Sequence, residues 1–216
     1  MSDHEAARGR FIVFEGGEGV GKSTQARLLA NALRATGLAV DLTREPGGTP
    51  GAEAIRALLL DAGGSDWGPR AEALLFAAAR SDHVEKLIMP ALETGRWVVC
   101  DRFIDSSRAY QGAAGGMCDD DILALHRIGS AGLLPDLTIV LRLEPQATQT
   151  RLRARDGDAS DRIGGRAPEY HAAVASAFEG FAAAEPARFV IVEASGEAEE
   201  VHGRVMIALK RFEHGR

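Results

Sequence analysis

The sequence predicts an α/β fold: a five-stranded parallel sheet with helices on both faces. Three observations carry that prediction. Five apolar runs rich in β-branched residues, Arg10–Glu15, Ala39–Arg44, Trp97–Asp101, Leu137–Leu143 and Arg188–Glu193, alternate with stretches of helical periodicity. The runs are continuously hydrophobic rather than alternating, as strands buried on both faces of a parallel sheet should be. The first run also passes straight into a glycine-rich turn, and a helical pattern opens at Lys22.

The helical patterns lie at Lys22–Thr36, Ala52–Asp61, Arg70–Thr94, Asp119–Ser130, Pro145–Arg155, Pro168–Glu185 and Ala198–Phe212. Gly37 and Gly95 stand where helix C-terminal caps belong. Alanine-rich stretches at 71–79 and 172–184 are good helix composition. No repeat, linker or low-complexity tail interrupts the chain, and 216 residues suit one domain spanning 1–216.

Composition narrows the partners. Lys and Arg total 25 against 31 Asp and Glu, a formal net charge of −6, which argues against a general nucleic-acid coat. The two cysteines, Cys100 and Cys118, have no metal-ligand spacing and read as reduced thiols of a reducing compartment. Residues 1–10 lack the apolar run of a signal peptide, and no stretch reaches transmembrane length. A cytoplasmic location is expected, with no nucleic acid and no membrane as partner.

The chemistry concentrates at the carboxyl ends of the strands, where open α/β sheets bind ligands. Gly16, Gly17, Glu18, Gly19, Val20, Gly21, Lys22, Ser23 and Thr24 form a phosphate-binding loop between the first strand and its helix. Glycines let backbone N–H groups turn inward around a β-phosphate, and the helix start adds its positive dipole end. Lys22 would reach the β and γ oxygens, and the Ser23 hydroxyl would ligate Mg²⁺. A nucleoside triphosphate is the expected ligand. The second strand ends in Thr43-Arg-Glu-Pro-Gly-Gly-Thr49, a rigid turn expected to aim Arg44 and Glu45 into the cleft, with Arg56 facing it from the next helix. The third strand ends in Asp101, a metal-holding position in P-loop enzymes, followed by Arg102, a candidate phosphate clamp.

Two helical spacings add a candidate base pocket. Phe76 and Arg80 share a helix face, suiting a ring that stacks on a base and a guanidinium that donates to a base carbonyl; a core Phe beside a surface Arg is the alternative. Ser107, Tyr110 and Gln111 fall at i, i+3 and i+4, a polar stripe able to read a base edge or sugar, or else an ordinary turn-and-helix surface. From Arg151 to Arg166, five arginines mix with glycine and aspartate, which suits a cationic lid over the triphosphate as well as an exposed charged loop. The six histidines form no ligand cluster and receive no role.

Taken in order and spacing, these motifs resemble the thymidylate kinases. The resemblance runs from Phe11 to about Leu209. It rests on the glycine-rich loop, Thr43–Thr49, Leu75-Phe-Ala-Ala-Ala-Arg80, Asp101–Ser107 with Ala109-Tyr-Gln-Gly112, Leu134–Thr138, and Asp161-Arg162. It implies a P-loop nucleoside monophosphate kinase fold with an Arg-rich lid at about 151–166. The implied reaction is phosphorylation of dTMP by ATP with Mg²⁺, serving dTTP synthesis, in a homodimer. By resemblance, Phe76 stacks on thymine, Arg80 donates to its O4, and Gln111 and Ser107 hold the rest of the edge. Arg102 and Arg56 contact the 5′-phosphate, Glu45 and Tyr110 line the sugar, and Asp101 joins the Mg²⁺ site. Glu18 takes the loop's acidic position. The loop offers no arginine, so the catalytic arginine falls in the lid, Arg153 first and then Arg155 or Arg162. Arg142 and Gly164 depart from the family pattern.

Rival readings keep the fold and change the outcome. The acceptor could be dUMP, CMP or a deoxynucleoside. A nucleotide switch is a different class, but no Asp-x-x-Gly follows the third strand and no Asn-Lys-x-Asp occurs. A non-catalytic nucleotide binder fits poorly with the presence of Lys22, Ser23, Asp101 and Arg102.

Overall fold

A computed structural model of the chain describes residues 8–61, 67–144, 146–148, 151 and 165–214. Five strands, β1 (Phe11–Glu15), β2 (Val40–Arg44), β3 (Trp97–Asp101), β4 (Leu137–Arg142) and β5 (Phe189–Glu193), form one sheet in the order β2-β3-β1-β4-β5. Every pairing is parallel. The central position of β1 follows from its composition: all five of its residues are fully buried. Ile12 and Phe14 face one layer of core with Leu29, Leu33, Val205 and Leu209. Phe11 and Val13 face the other, with Ile88, Leu92, Phe103 and Ile104. The edge strands β2 and β5 are only half-buried, so they depart from the expectation of strands covered on both faces.

The helices are α1 (Lys22–Ala35), α2 (Pro50–Leu60), α3 (Pro69–His83), α4 (Met89–Glu93), α5 (Ile104–Ser107), α6 (Asp119–Ser130), α7 (Pro168–Ala184) and α8 (Ala198–His214). Thr49 caps α2 by accepting from the Ala52 amide, which moves that helix start two residues ahead of its apolar pattern. The single helix expected over Arg70–Thr94 is divided by a π-helical turn at Val84–Ile88, where the Met89 amide bonds to Val84. Pro90 has no N–H to continue the ordinary ladder, so the register widens just before it. A second π-turn, Arg108–Ala113, prolongs α5 into a segment for which the sequence predicts only a polar stripe. Of the expected helix Pro145–Arg155, the described residues 146–148 and 151 are helical; its other residues and most of the expected lid lie outside the described residues.

An ion-pair network fixes α5 to the far side of the sheet. Asp105, fully buried, accepts from Arg188 Nη1 at 2.6 Å and Nη2 at 3.0 Å, and from Arg108 Nη1 at 3.1 Å. The same arginines reach Glu185, and Arg108 also grips Asp119 through two bonds of 3.0 Å.

Candidate active site

The loop between β1 and α1 is shaped by backbone demands that only glycine meets. Gly16 has φ +132°, and a Cβ there would lie 2.5 Å from the Leu141 carbonyl oxygen. Lys22 folds back over this loop, its Nζ donating to the carbonyls of Gly17 at 2.5 Å and Gly16 at 3.2 Å. Burial, and then the nearby Arg102 guanidinium, lower its ammonium from 10.5 to about 8. Ser23 Oγ hydrogen-bonds Asp101 Oδ2 across the cleft from α1 to the end of β3. Asp101 Oδ1 is buried without a hydrogen-bond partner. A carboxylate oxygen in that condition beside a hydroxyl suits a hard cation that draws its remaining ligands from phosphate and water.

Arg102 follows with φ +72°, a left-handed conformation that costs a non-glycine residue free energy. Glu15, at the end of β1 and fully buried, holds the turn. It accepts from the Phe103 amide at 2.8 Å, the Ser106 amide at 3.0 Å and Ser106 Oγ at 2.6 Å. Burial and the Asp105 charge raise the Glu15 carboxyl to about 7. The turn swings Arg102 back to the loop, where Nη2 donates to Glu18 Oε1 at 2.5 Å and Nη1 to the Gly16 carbonyl at 3.2 Å. Its guanidinium also lies 5.0 Å above the Tyr110 ring.

A cavity opens beside this arginine and is lined by Glu45, Arg56, Phe76, Arg80, Ser107, Tyr110 and Gln111, together with Glu18 and Arg102. The sequence-predicted base, sugar and phosphate residues therefore share one space. Arg80 is buried, not a surface residue: Nε donates to Glu45 Oε2 at 2.7 Å and Nη2 to Ser107 Oγ at 2.9 Å and the Phe103 carbonyl at 3.2 Å. Glu45 is held from its other oxygen by His83 Nδ1 at 3.1 Å, and His83 Nε2 lies 2.7 Å from Thr43 Oγ1. Gly48, φ +89°, allows this closure, since a Cβ there would come within 2.4 Å of Thr43 Oγ1 and 2.5 Å of His83 Nε2. Arg56 donates to the Pro46 carbonyl at 2.7 Å. Arg44 lines the phosphate cleft with Glu45 but is not buried like it: it is half exposed and paired with Glu53 at 2.9 Å.

A second cavity runs along the loop, lined by Gly19, Gly21, Lys22, Ser23, Thr24, Asp101 and Arg151. Glu18, Glu45, Arg56 and Arg102 line both cavities, so the two spaces meet along these four side chains. Arg151 continues toward Gly196–Ala198, donating to the carbonyls of Ala194 and Gly196 at 3.1 Å each. Arg142 stands at the end of β4, paired with Glu193 and Glu179. Arg153, Arg155, Arg162 and Gly164 lie outside the described residues.

Sequence reasoning gave no individual role to Glu15, Glu72, His83 or Arg151, the last being counted only among the five arginines of the lid. The signal for two of them was present: Glu72, Phe76, Arg80 and His83 succeed one another by four, four and three residues, one stripe of α3. Among the described residues, no cluster of three His, Cys, Asp or Glu is placed to hold a metal, and no helix is long and apolar enough to cross a membrane.

Comparison with known proteins gives the same result from sequence and from structure. The thymidylate kinase family profile matches residues 14–205. A thymidylate kinase of Rhizorhabdus wittichii is 57% identical over 202 residues, covering 93% of this chain and 97% of that protein. One from Bradyrhizobium diazoefficiens is 49% identical over 215 residues, covering 97% and 94%. The crystal structure of a thymidylate kinase from Ehrlichia chaffeensis superposes with a TM-score of 0.76 at 33% identity, over 94% of this chain and 99% of that one. With a P-loop, a neighbouring cavity and this likeness along nearly its whole length, the chain belongs to the thymidylate kinase family.

Proposed function

We propose that the protein transfers the γ-phosphoryl group of ATP to the 5′-phosphate of dTMP, giving ADP and dTDP. The observation that carries this reading is the meeting of the two cavities along Glu18, Glu45, Arg56 and Arg102. A triphosphate on the loop and a monophosphate in the base cavity would touch at that line. An acceptor phosphate is largely ionised near neutral pH, so catalysis needs positioning and charge neutralisation more than a base. Lys22 exchanges its two loop carbonyls for donor phosphate oxygens. Arg102, aimed by its Glu18 and Gly16 contacts, bridges donor and acceptor, and Arg56 adds a second cation to the acceptor phosphate. Gly16 to Thr24 wrap the phosphates, and the space between Arg151 and Gly196–Ala198 takes the donor base.

In the acceptor cavity Phe76 stacks on the base, Arg80 donates to its O4, Gln111 and Ser107 face the rest of the edge, and Glu45 and Tyr110 border the sugar. Ser23 and Asp101 would hold Mg²⁺, which supplies charge neutralisation to the β and γ phosphate oxygens. The buried, unpartnered Oδ1 of Asp101 supports that assignment. Arg153 is proposed as the lid arginine that stabilises the transferring group. A homodimer is also proposed: α2, α3 and α6 pack side by side, and each carries an exposed large aliphatic residue, Leu58, Leu74 and Ile128.

The test is ADP formation from ATP with and without Mg²⁺, with dTMP, dUMP, dCMP, UMP and dGMP offered separately. Mg²⁺-dependent turnover highest with dTMP is expected. Preference for another monophosphate would sink the base assignment, and hydrolysis indifferent to acceptor would favour a nucleotide switch.

A further inference from the structure

Gln111 brings the only side-chain amide among the described residues that line the acceptor cavity. An amide can present either a carbonyl acceptor or an NH₂ donor, so a freely turning one discriminates nothing. Here its Nε2 donates to Glu72 Oε1 at 2.9 Å. Glu72 projects from α3 and is 2% exposed. Its second oxygen accepts from Arg166 Nη2 at 2.5 Å, and that guanidinium lies 4.6 Å above the Tyr170 ring. A carboxylate gripped by a guanidinium has no proton to give. Turning the Gln111 amide over would set its carbonyl against a carboxylate oxygen, away from water that could relieve either one.

We propose that Glu72 is the positioning residue that sets pyrimidine specificity, by locking Gln111 so that its Oε1 is the group offered to the base. The proposal rests on the reading of the cavity as a thymine site. Thymine presents an N3–H donor beside its O4 acceptor; Gln111 Oε1 matches the first and Arg80 the second. Cytosine inverts both groups, placing a bare N3 before the Gln111 carbonyl and an amino group before the Arg80 guanidinium. Uracil presents the same edge as thymine. Specificity at this edge is thus decided one residue behind the cavity wall, by a side chain that does not line it.

Glu72→Gln retains the shape and an acceptor for Arg166, while its new NH₂ can donate to Gln111 Oε1 and stabilise the reversed amide. The measurement is kcat/KM for dTMP, dUMP and dCMP in the wild type and E72Q, after thermal unfolding has shown the variant folded. A reversed hydrogen bond in a buried site is worth about tenfold or more in discrimination. The dTMP:dCMP ratio should therefore fall by at least about tenfold while the dTMP:dUMP ratio stays unchanged. In a Gln111→Met background E72Q should leave the dTMP:dCMP ratio where it was. Equal losses on all three nucleotides would mean a merely structural role and overturn the proposal. So would a ratio that E72Q still shifts without the glutamine. A wild type indifferent between dTMP and dCMP would overturn the thymine reading and this proposal together. Wild-type preference that E72Q leaves intact overturns only the role of Glu72.

Discussion

Replacing Asp105 by asparagine removes one charge from the centre of the network that holds α5 in place. The carboxylate is fully buried and takes three guanidinium N–H bonds between 2.6 and 3.1 Å. Removing one partner of a buried ion pair costs ~3–5 kcal/mol. Arg108 and Arg188 keep Glu185 and, for Arg108, Asp119, whose side chains are 35% and 44% exposed. The two cations are therefore not stranded, and the lower end of the range, ~3 kcal/mol, applies. At ~2–4 °C per kcal/mol for a chain of this size, the unfolding midpoint should drop by ~6–12 °C. Scanning calorimetry of wild type and D105N at neutral pH measures it. The loss should also be directional. Ser107, Tyr110 and Gln111 sit on the segment that Asp105 anchors, so KM for dTMP should rise, whereas ATP affinity, carried by the β1–α1 loop, should hold. A midpoint within ~2 °C of wild type would refute the reasoning, since a buried, doubly paired carboxylate cannot be that cheap to lose. Equal weakening of both substrates would refute the directional part.

Two further outcomes follow from the site. Lys22 titrates near 8 in the folded chain against 10.5 unfolded, so between those values the unfolded state holds the extra proton and stability rises with pH. Phosphate oxygens restore the charge, and ATP binding at pH 8.5 should take up protons; titration calorimetry in buffers of different ionisation enthalpy reads this, and uptake that persists in Lys22→Met would place the proton elsewhere. Phe76→Ala removes a stacking surface worth ~1–3 kcal/mol, a rise of roughly 5- to 150-fold in KM for dTMP with KM for ATP little changed. Steady-state kinetics tests this, and a dTMP KM within about twofold of wild type would remove Phe76 from base stacking.

The glycine-rich loop, the strand-end pair Asp101-Arg102 and the five apolar runs were legible in the sequence because each is a local rule. A left-handed turn needs glycine at Gly16, a phosphate needs N–H groups and Lys22, and a central parallel strand needs a run like Phe11–Phe14. Periodicity likewise brought Phe76 and Arg80 to one helix face.

What no local rule contains is the pairing of side chains distant along the chain. Arg80 meets Glu45 across 35 residues, Gln111 meets Glu72 across 39, and Arg188 meets Asp105 across 83. From sequence alone, Glu72 has no role, His83 is one of six scattered histidines, and Asp105 counts only as one residue of the Asp101–Ser107 motif. Their weight comes from burial, which makes an unpaired charge or amide costly and so fixes orientation. The sequence by itself determined which chemistry the chain carries and at which strand ends. The tertiary structure decided which end of an amide faces the acceptor cavity, and that Glu45 is buried between Arg80 and His83 while Arg44 stays half exposed, because only packing sets the partners available to a buried group.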